Sequence, residues 1–381
     1  ARFSGVADGS DYSWNVGDCS GACPAPSIAL DFTREEWHAA AIRERFRAAV
    51  AACAPDYVLV TCSWSTKVLL AEAVAEFPYV LRIAALEGLC PLNNVRLLID
   101  ETGQPRQCPE NQLTDPARCR RCVTANGRLS GALHHAERRL AGFWEPDYGQ
   151  RLRRVFRNAH AVFAVNPQIA DLIAPHTSHV RVVPSGFDPE RFPLPTPVTR
   201  PAGAPRQILF AGLIDEFMKG YPVLEAAGQL LWERRQDFEI VVTADPPGPR
   251  GPFVRAIGWQ SQADLPDVIR SVDILAFPTV AQEALGRSAV EAMGCGRPVV
   301  ASRIGGLAWV IDDEQTGLLC RPGDPADLAR QLERLLDNEP LRRLLGDAGR
   351  EKFEREFAWE SVLAREYHPV FGSPVAVEGT V

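Results

Sequence analysis

The stretch EALGRSAVEAMGCGRPVVAS, residues 283–302, decides the fold of the second half of the chain. It follows the apolar run DILAFPT (273–279) and ends in the apolar run PVVAS (298–302), which predicts two buried strands joined by a helix. Strands joined by helices in this way form a parallel sheet. Glu283 then lies in the loop at the carboxyl edge of the sheet. Glu291 comes eight residues later, a little over two helical turns along, on nearly the same helix face.

The same alternation of apolar runs and helical stretches extends over most of the chain. Predicted strands in the first half are SIALDF (27–32), YVLVTC (57–62), YVLRIAAL (79–86) and AVFAVN (161–166). Thr33 and Glu36 have the spacing of a capping box at the start of the first predicted helix. The Pro-rich segment 193–206 has no periodicity and predicts a linker. We therefore expect an α/β protein with a domain over 1–190, a second over 191–358, and a helix and tail over 359–381 that cross back to the first.

The totals exclude several classes of protein. A chain of 381 residues exceeds one ordinary core, and 46% hydrophobic with 23% charged residues is typical of a globular protein. The net charge of −7 argues against a nucleic-acid partner. No apolar run reaches the roughly 20 residues that span a bilayer, and no charged-then-apolar leader is visible. We expect a cytoplasmic protein whose membrane contact is at most peripheral.

Two carboxylates flanking a helix start favour a particular kind of ligand. The first N–H groups of the helix and its positive dipole end suit phosphate, and the carboxylates can accept hydrogen bonds from hydroxyl pairs. A nucleotide diphospho-sugar has phosphates between two polyols and fits this arrangement. The alternative is an amphipathic helix with two incidental glutamates. The sequence has only three lysines, and Lys219 lies in a loop; we interpret Lys67 and Lys352 as ordinary sampling.

Four ordered blocks resemble the donor domain of retaining GT-B glycosyltransferases of family 4. They are FAGLIDEFMKGYPVLEAA (210–227), FPTVAQEALGRSAVEAMGCGRPVVASRIGG (277–306), DDEQTGLLCRPGDPADLARQLERLLDN (312–338) and WESVLAREY (359–367). The resemblance implies a GT-B fold, in which two Rossmann-like doubly wound domains face a central cleft. The first would be the acceptor side and the second the donor side. The implied activity is retaining transfer of a sugar from a UDP- or GDP-sugar to an unidentified acceptor, with no cofactor required for catalysis.

The resemblance also assigns residues. Glu283 would contact the donor-sugar hydroxyls and Lys219 would bind the diphosphate and stabilise the leaving group. Glu291 would hold the ribose. The remaining implied donor-binding residues are Gly212, Ala284, Leu285, Gly286 and Arg287.

Two positions depart from the family pattern. Leu213 stands where an Arg is usual, and Trp309 where many members have Glu. Arg287, Arg297 or Arg303 could replace the missing cation. Two alternatives to transferase activity follow: a catalytically silent nucleotide-sugar-binding protein, or a GT-B enzyme that makes or breaks a sugar–phosphate bond.

The first half contains a Cys-rich loop, residues 87–123, that resembles an acceptor loop in a subset of the family. Cys90, Cys108, Cys119 and Cys122 have the spacing C-x17-C-x10-C-x2-C. Structural zinc, disulfides and free thiols are all compatible with it, and Cys19 and Cys23 could pair or join a site. No histidine stands at Ala84 or Ala85, where related chains have His-Asp, so a catalytic histidine is not expected there. Candidate acceptor-side residues are Glu87, Asn93 and Asn94.

Overall fold

Runs of β-branched and other apolar residues form two separate parallel sheets. In the computed structural model, the described residues are 30–372 without 34, 62–64, 94, 102–104, 128–130, 195–202 and 246–250; the side chains of 131–133 are also left out. The strands are β1 (Val58–Val60), β2 (Tyr79–Ile83), β3 (Leu97–Ile99), β4 (Pro105–Gln107), β5 (Ala161–Ala164), β6 (Val180–Val182), β7 (Arg206–Phe210), β8 (Phe238–Val242), β9 (Val254–Ala256), β10 (Ile274–Phe277), β11 (Val299–Ser302) and β12 (Leu318–Cys320).

Helices separate most of these strands. They are α1 (Ala39–Cys53), α2 (Lys67–Ala73), α3 (Pro116–Asn126), α4 (Gly131–Leu140), α5 (Tyr148–Asn158), α6 (Pro167–Ile173), α7 (Tyr221–Trp232), α8 (Leu265–Ser271), α9 (Arg287–Gly294), α10 (Leu307–Val310), α11 (Pro325–Asp337), α12 (Glu339–Lys352), α13 (Trp359–Val362) and α14 (His368–Phe371). Short 3₁₀ turns cover Ala174–His176, Pro189–Arg191 and Phe217–Lys219, and π-helical turns cover Phe353–Phe357 and Leu363–Tyr367. None of the described helices is both long and apolar enough to cross a membrane.

The contacts divide the chain into two units. The first contains the described residues up to Arg96 together with Cys108–Val165 and Ile169–Val182. The second contains Leu97–Gln107, Asn166–Gln168 and the described residues from Val183 onwards, including α13 and α14. The predicted boundaries at 190/191 and 358/359 stay predictions.

The first unit is built on a four-stranded parallel sheet in the order β1-β2-β5-β6. The predicted strand SIALDF is wrong over the part that the structure describes, because Leu30–Phe32 lies outside any strand. Phe32 instead packs its ring against Trp37 and Phe46 beside α1. An aromatic side chain that buries itself against a helix needs no strand partner.

The predicted capping box forms its hydrogen bonds but does not start the helix. The Thr33 N–H donates to Glu36 at 2.9 Å, and the Glu36 N–H donates to the Thr33 hydroxyl at 3.3 Å. Helix α1 begins only at Ala39, because His38 has extended backbone angles and its Nδ1 accepts the Ala41 N–H. The sequence therefore located the turn correctly and placed the helix start too early.

The second unit is built on a six-stranded parallel sheet in the order β12-β11-β10-β7-β8-β9. This is the Rossmann order, in which the strand sequence reverses between the first and fourth strands of the sheet, here β7 and β10. Its core includes Phe238, Phe253 and the buried apolar residues of α11. Ligands of such sheets bind beyond the carboxyl ends of the strands at the reversal point. A ligand site is therefore expected at the loops that follow β7 and β10.

Candidate functional site

The loops that follow β7 and β10 are bonded to each other. The Val280 N–H donates to the Met218 carbonyl at 2.9 Å, and the Thr279 hydroxyl donates to the same carbonyl at 2.8 Å. The turn Phe217–Lys219 is therefore fixed against the end of β10. Both loops lie at the carboxyl edge where the strand order reverses.

Gly220 allows this close approach. Its φ of +81° lies in the left-handed region, and a Cβ there would be 1.9 Å from the Pro278 carbonyl oxygen. Only glycine avoids both the strain and the collision. The same residue ends the turn and begins α7, so it fixes Lys219 immediately above the end of β10.

The structure brings together the two residues predicted to be catalytic. Lys219 Nζ lies 2.8 Å from Glu283 Oε1, although 64 positions separate the two residues in sequence. The Thr279 hydroxyl lies 3.4 Å from the same carboxylate oxygen. The side chains of Lys219 and Glu283 are 27% and 14% exposed, so the pair is partly shielded but a ligand can reach it.

Hydrogen bonds from two other segments hold the backbone of the Glu283 loop. The Gly306 N–H donates to the Glu283 carbonyl at 2.7 Å, and the Asn166 side-chain amide donates to the Ala284 carbonyl at 2.5 Å. Asn166 and Thr279 are both almost fully buried, and neither was among the predicted site residues. Asn166 ends the AVFAVN run, at a strand's carboxyl edge, and that position was the available signal.

Gly286 turns the chain from this loop into α9. It is the N-cap residue, with φ +79°, and a Cβ there would be 2.4 Å from Leu307 Cδ2. Leu285 is buried, whereas Arg287 is exposed as the first residue of the helix. The predicted donor-binding residues 284–287 therefore form a continuous path from the Lys219–Glu283 pair to the N-terminus of α9.

Glu291 is buried within α9. Its side chain is 7% exposed, and Arg287 Nη2 lies 3.5 Å from its Oε1. Burial raises the pKa of Glu291, while the positive charges of Arg287 and Arg191 act in the opposite direction. The Arg287 guanidinium also stacks 4.8 Å from the centre of the Phe187 ring. The carboxylate is thus held in a confined position within α9, with Arg287 as its neighbour.

The positions that depart from the family pattern have different surroundings. Leu213 is 43% exposed and offers no charge after β7, where Gly212 precedes it. Trp309 packs its ring 5.6 Å from that of Phe357, and its carbonyl accepts a hydrogen bond from Lys352. Trp309 therefore serves packing in the second unit.

The other two lysines are buried, and our interpretation of them as ordinary sampling is wrong. Lys67 Nζ donates to the Arg82 carbonyl at 2.6 Å and lies 3.6 Å from Glu87. Lys352 Nζ lies 2.9 Å from Asp312. The side chain of each of these lysines is 4% exposed. Buried ammonium groups persist when a carboxylate and carbonyl oxygens surround them.

The acceptor-side candidates have specific local partners. Both Glu87 oxygens accept backbone N–H groups, from Ala84 at 3.0 Å and Ala85 at 2.7 Å. The Asn93 side chain accepts the Val95 N–H at 3.3 Å. Asn94 lies outside the described residues. Glu87 thus closes the turn after β2, and its predicted contact with an acceptor stays a prediction.

The four cysteines of the loop are free thiols that lie near one another. Burial, followed by the other three sulfurs, raises the pKa of Cys119 to about 12. The Cys90 sulfur accepts the Asn93 N–H at 3.5 Å. Within the described ranges, however, no group of three or more His, Cys, Asp or Glu side chains is arranged to hold a metal ion. The zinc prediction stays a prediction, and Cys19 and Cys23 lie outside the described residues.

Comparisons with known proteins find similarity to glycosyltransferases. Residues 205–338 match the family described as Glycosyl transferases group 1. A D-inositol 3-phosphate glycosyltransferase from Arthrobacter sp. (strain FB24) is 33% identical over 252 residues, which cover 56% of this chain and 57% of that enzyme. The chain therefore spans just over half of that relative's length.

Two solved structures share the fold over most of the chain. Sucrose-phosphate synthase from Thermosynechococcus elongatus has a TM-score of 0.61 at 20% identity and covers 93% of this chain and 83% of its own. Anabaena HepE in complex with UDP has a TM-score of 0.59 at 15% identity, with coverages of 85% and 81%. Residues 205–338 are thus similar to the glycosyl transferases group 1 family, and the fold of the chain is that of the GT-B enzymes.

Proposed function

We propose that the chain is a retaining glycosyltransferase that moves a sugar from a UDP- or GDP-sugar to an acceptor hydroxyl without a metal ion. The observation that carries the proposal is the 2.8 Å Lys219–Glu283 pair at the reversal point of the Rossmann sheet. A cation and a carboxylate at that edge match the charge pattern of a sugar joined to a diphosphate.

In this proposal the donor separates the ion pair. The diphosphate replaces Glu283 as the partner of Lys219, and sugar hydroxyls replace Lys219 as donors to Glu283. The N–H groups at the start of α9 face the phosphates, and Glu291 accepts hydrogen bonds from the ribose hydroxyls. Before the donor arrives, the two charged side chains neutralise each other and keep each other in position.

The chemical step needs little from the protein beyond charge. The bond between the anomeric carbon and the diphosphate oxygen breaks, and the acceptor oxygen bonds to the same face of that carbon. The acceptor proton passes to the leaving diphosphate. Lys219 stabilises the negative charge that grows on this leaving group, which is the kind of preorganised stabilisation that contributes most to many enzymes.

The choice of UDP or GDP rests on comparison alone. HepE, which shares the fold, has been solved with UDP and with UDP-glucose. This supports a UDP-sugar as the first donor to try. The acceptor stays unidentified, and the cytoplasmic location stays a prediction.

The test is the release of nucleoside diphosphate from a panel of UDP- and GDP-sugars with candidate acceptors. Lys219→Ala should lower kcat by about 10²- to 10³-fold, because one preorganised charge is lost. Arg343→Ala, which removes a 76% exposed cation from α12, is the matched control and should keep full activity. Equal turnover by Lys219→Ala and the wild type would refute the role of Lys219, and product of inverted anomeric configuration would refute retention.

A catalytically silent sugar-nucleotide-binding protein is the second candidate, and the uncharged Leu213 favours it. Donor binding without turnover under every acceptor tried would support this reading. Turnover by the wild type that Lys219→Ala loses would exclude it.

A further inference from the structure

The diphosphate site after β7 lacks one of the positive charges that the family resemblance implies, because Leu213 is neutral. Three arginines are candidates to replace that charge. The side chains of two of them bind other groups of the second unit. Arg297 donates to the Arg270 carbonyl at the end of α8, and Arg303 pairs with Asp313.

Arg287 has different surroundings. It is the first residue of α9, and its side chain is 58% exposed. The Phe187 ring supports one face of the guanidinium at 4.8 Å, and one N–H group makes a long 3.5 Å contact with Glu291. A guanidinium has five N–H donors in a planar fork that matches phosphate oxygens. Stacking on an aromatic ring holds the fork in place and leaves its edge able to bind an anion.

Arg191 is the other cation that acts on Glu291. Its Nη2 donates to the Gln262 carbonyl at 2.8 Å, so it ties the 3₁₀ turn Pro189–Arg191 to the segment before α8. Arg191 is therefore engaged with the backbone, whereas Arg287 is held by a ring and by one long contact.

The position of Arg287 along the chain supports the same reading. It follows Glu283 by four positions, and Gly286 turns the chain sharply between them. Arg287 therefore lies at the helix end that follows directly from the Lys219–Glu283 loop. Its side chain connects that end to Glu291, which we propose as the ribose ligand.

We propose that the Arg287 guanidinium is the second diphosphate-binding cation of this chain, in the role that Leu213 cannot fill, and that it leaves Glu291 when the diphosphate binds. The inference rests on the proposed function. It selects one of the three arginines that the sequence offered as replacements for the missing cation. The exchange also releases Glu291 to accept the ribose hydroxyls, so that diphosphate and ribose binding assist each other.

The test is calorimetric titration with UDP, GDP and the matching nucleosides. Arg287→Leu should weaken the binding of the preferred nucleoside diphosphate by about 10- to 100-fold, the loss expected for hydrogen bonds to a charged group. Nucleoside affinity should change by less than about 3-fold. Arg303→Leu removes an arginine of similar exposure, 54%, and should bind like the wild type. Arg287→Lys should be intermediate, because it keeps the charge and loses the fork.

Several results would overturn the inference. One is an affinity of Arg287→Leu for the nucleoside diphosphate within about 2-fold of the wild type. Another is an equal loss of affinity for the nucleoside and for the nucleoside diphosphate. A third is a loss of nucleoside diphosphate affinity in Arg303→Leu instead of Arg287→Leu. Arg287→Gln, which keeps a polar side chain beside Phe187 without charge, gives the same test if the leucine variant does not fold. A wild-type chain that binds neither UDP nor GDP would refute the proposed function itself.

Discussion

Replacing Glu291 by glutamine should make the protein more stable and less able to bind nucleotides. The wild-type carboxylate is 7% exposed, and its contact with Arg287 is 3.5 Å long. A buried charge with a weak partner costs folding free energy, because little attraction offsets its lost hydration. The neutral isostere Glu291→Gln should therefore raise the free energy of unfolding by about 1 kcal/mol. An opposite sign would mean that the Arg287 pairing outweighs desolvation.

The same substitution should weaken the binding of UDP or GDP. A carboxylate can accept both ribose hydroxyls, whereas an amide has only one carbonyl oxygen to offer them. Losing one hydrogen bond to a charged group costs about 1.5–3 kcal/mol of binding free energy, which corresponds to an increase of about 10- to 150-fold in the dissociation constant. Stabilisation combined with lost affinity is expected only of a residue that is kept for binding.

The stability difference should depend on pH. Burial raises the pKa of Glu291, so the folded protein holds this proton more tightly than the unfolded chain does. Wild-type stability from this group is therefore lost as pH rises from the ordinary carboxyl pKa through the raised value. Glu291→Gln should be most advantageous above the raised pKa, and the advantage should shrink as pH falls below it.

Urea unfolding at neutral and acidic pH measures the first effect, and calorimetric titration measures the second. Glu354→Gln is the matched control, because Arg350 and Glu354 form the same Arg-to-Glu i,i+4 pair on a surface where Glu354 is 55% exposed. The control should change stability by less than about 0.5 kcal/mol. A Glu291→Gln variant that is less stable at neutral pH and binds nucleotide as tightly as the wild type would refute the reasoning.

Three further substitutions or measurements test the fold around the site and the Cys-rich loop. Gly220→Ala should lower the free energy of unfolding, measured in urea, by at least about 3 kcal/mol, because its Cβ would collide with a carbonyl oxygen. Gly203 has a similar positive φ and nothing within 4 Å of the added Cβ, so Gly203→Ala should lower it by only about 1 kcal/mol. Equal losses for the two variants would contradict the collision. Lys67→Met should lower the free energy of unfolding by about 3–5 kcal/mol, because Glu87 stays buried without its cation. Adding Glu87→Gln to this variant should recover part of that stability. Strictly additive effects of the two substitutions would show that the two side chains do not interact. Elemental analysis of purified protein tests the zinc prediction for the Cys-rich loop: one zinc per chain would support it, and thiols that all react without a chelator would refute it.

The second unit could be predicted from the sequence in most respects. The apolar runs 273–279 and 298–302 predicted β10 and β11, and the position of Glu283 after the first run placed this residue at the carboxyl edge of the sheet. The residues that hold this edge were not predictable in the same way. Asn166 reaches Ala284 from 118 positions away, and such a contact leaves no local pattern in the sequence.

The first unit was harder to predict for two physical reasons. Tertiary packing overrode local propensity at Phe32, and the described end of that apolar run, Leu30–Phe32, lies outside any strand. The partners of Lys67 lie on β2 and in the turn after it, so a lysine that appears incidental in sequence is a buried cation in the structure. The hairpin β3–β4 also groups with the second unit, although its sequence lies within the Cys-rich loop of the first half.

A crystal structure of the protein with bound UDP or GDP would locate the donor site itself. Density for the diphosphate is expected within hydrogen-bond distance of Lys219 Nζ, with the ribose hydroxyls on Glu291 and the Lys219–Glu283 contact broken. A nucleotide bound elsewhere, or bound while Lys219 remains paired with Glu283, would contradict this expectation.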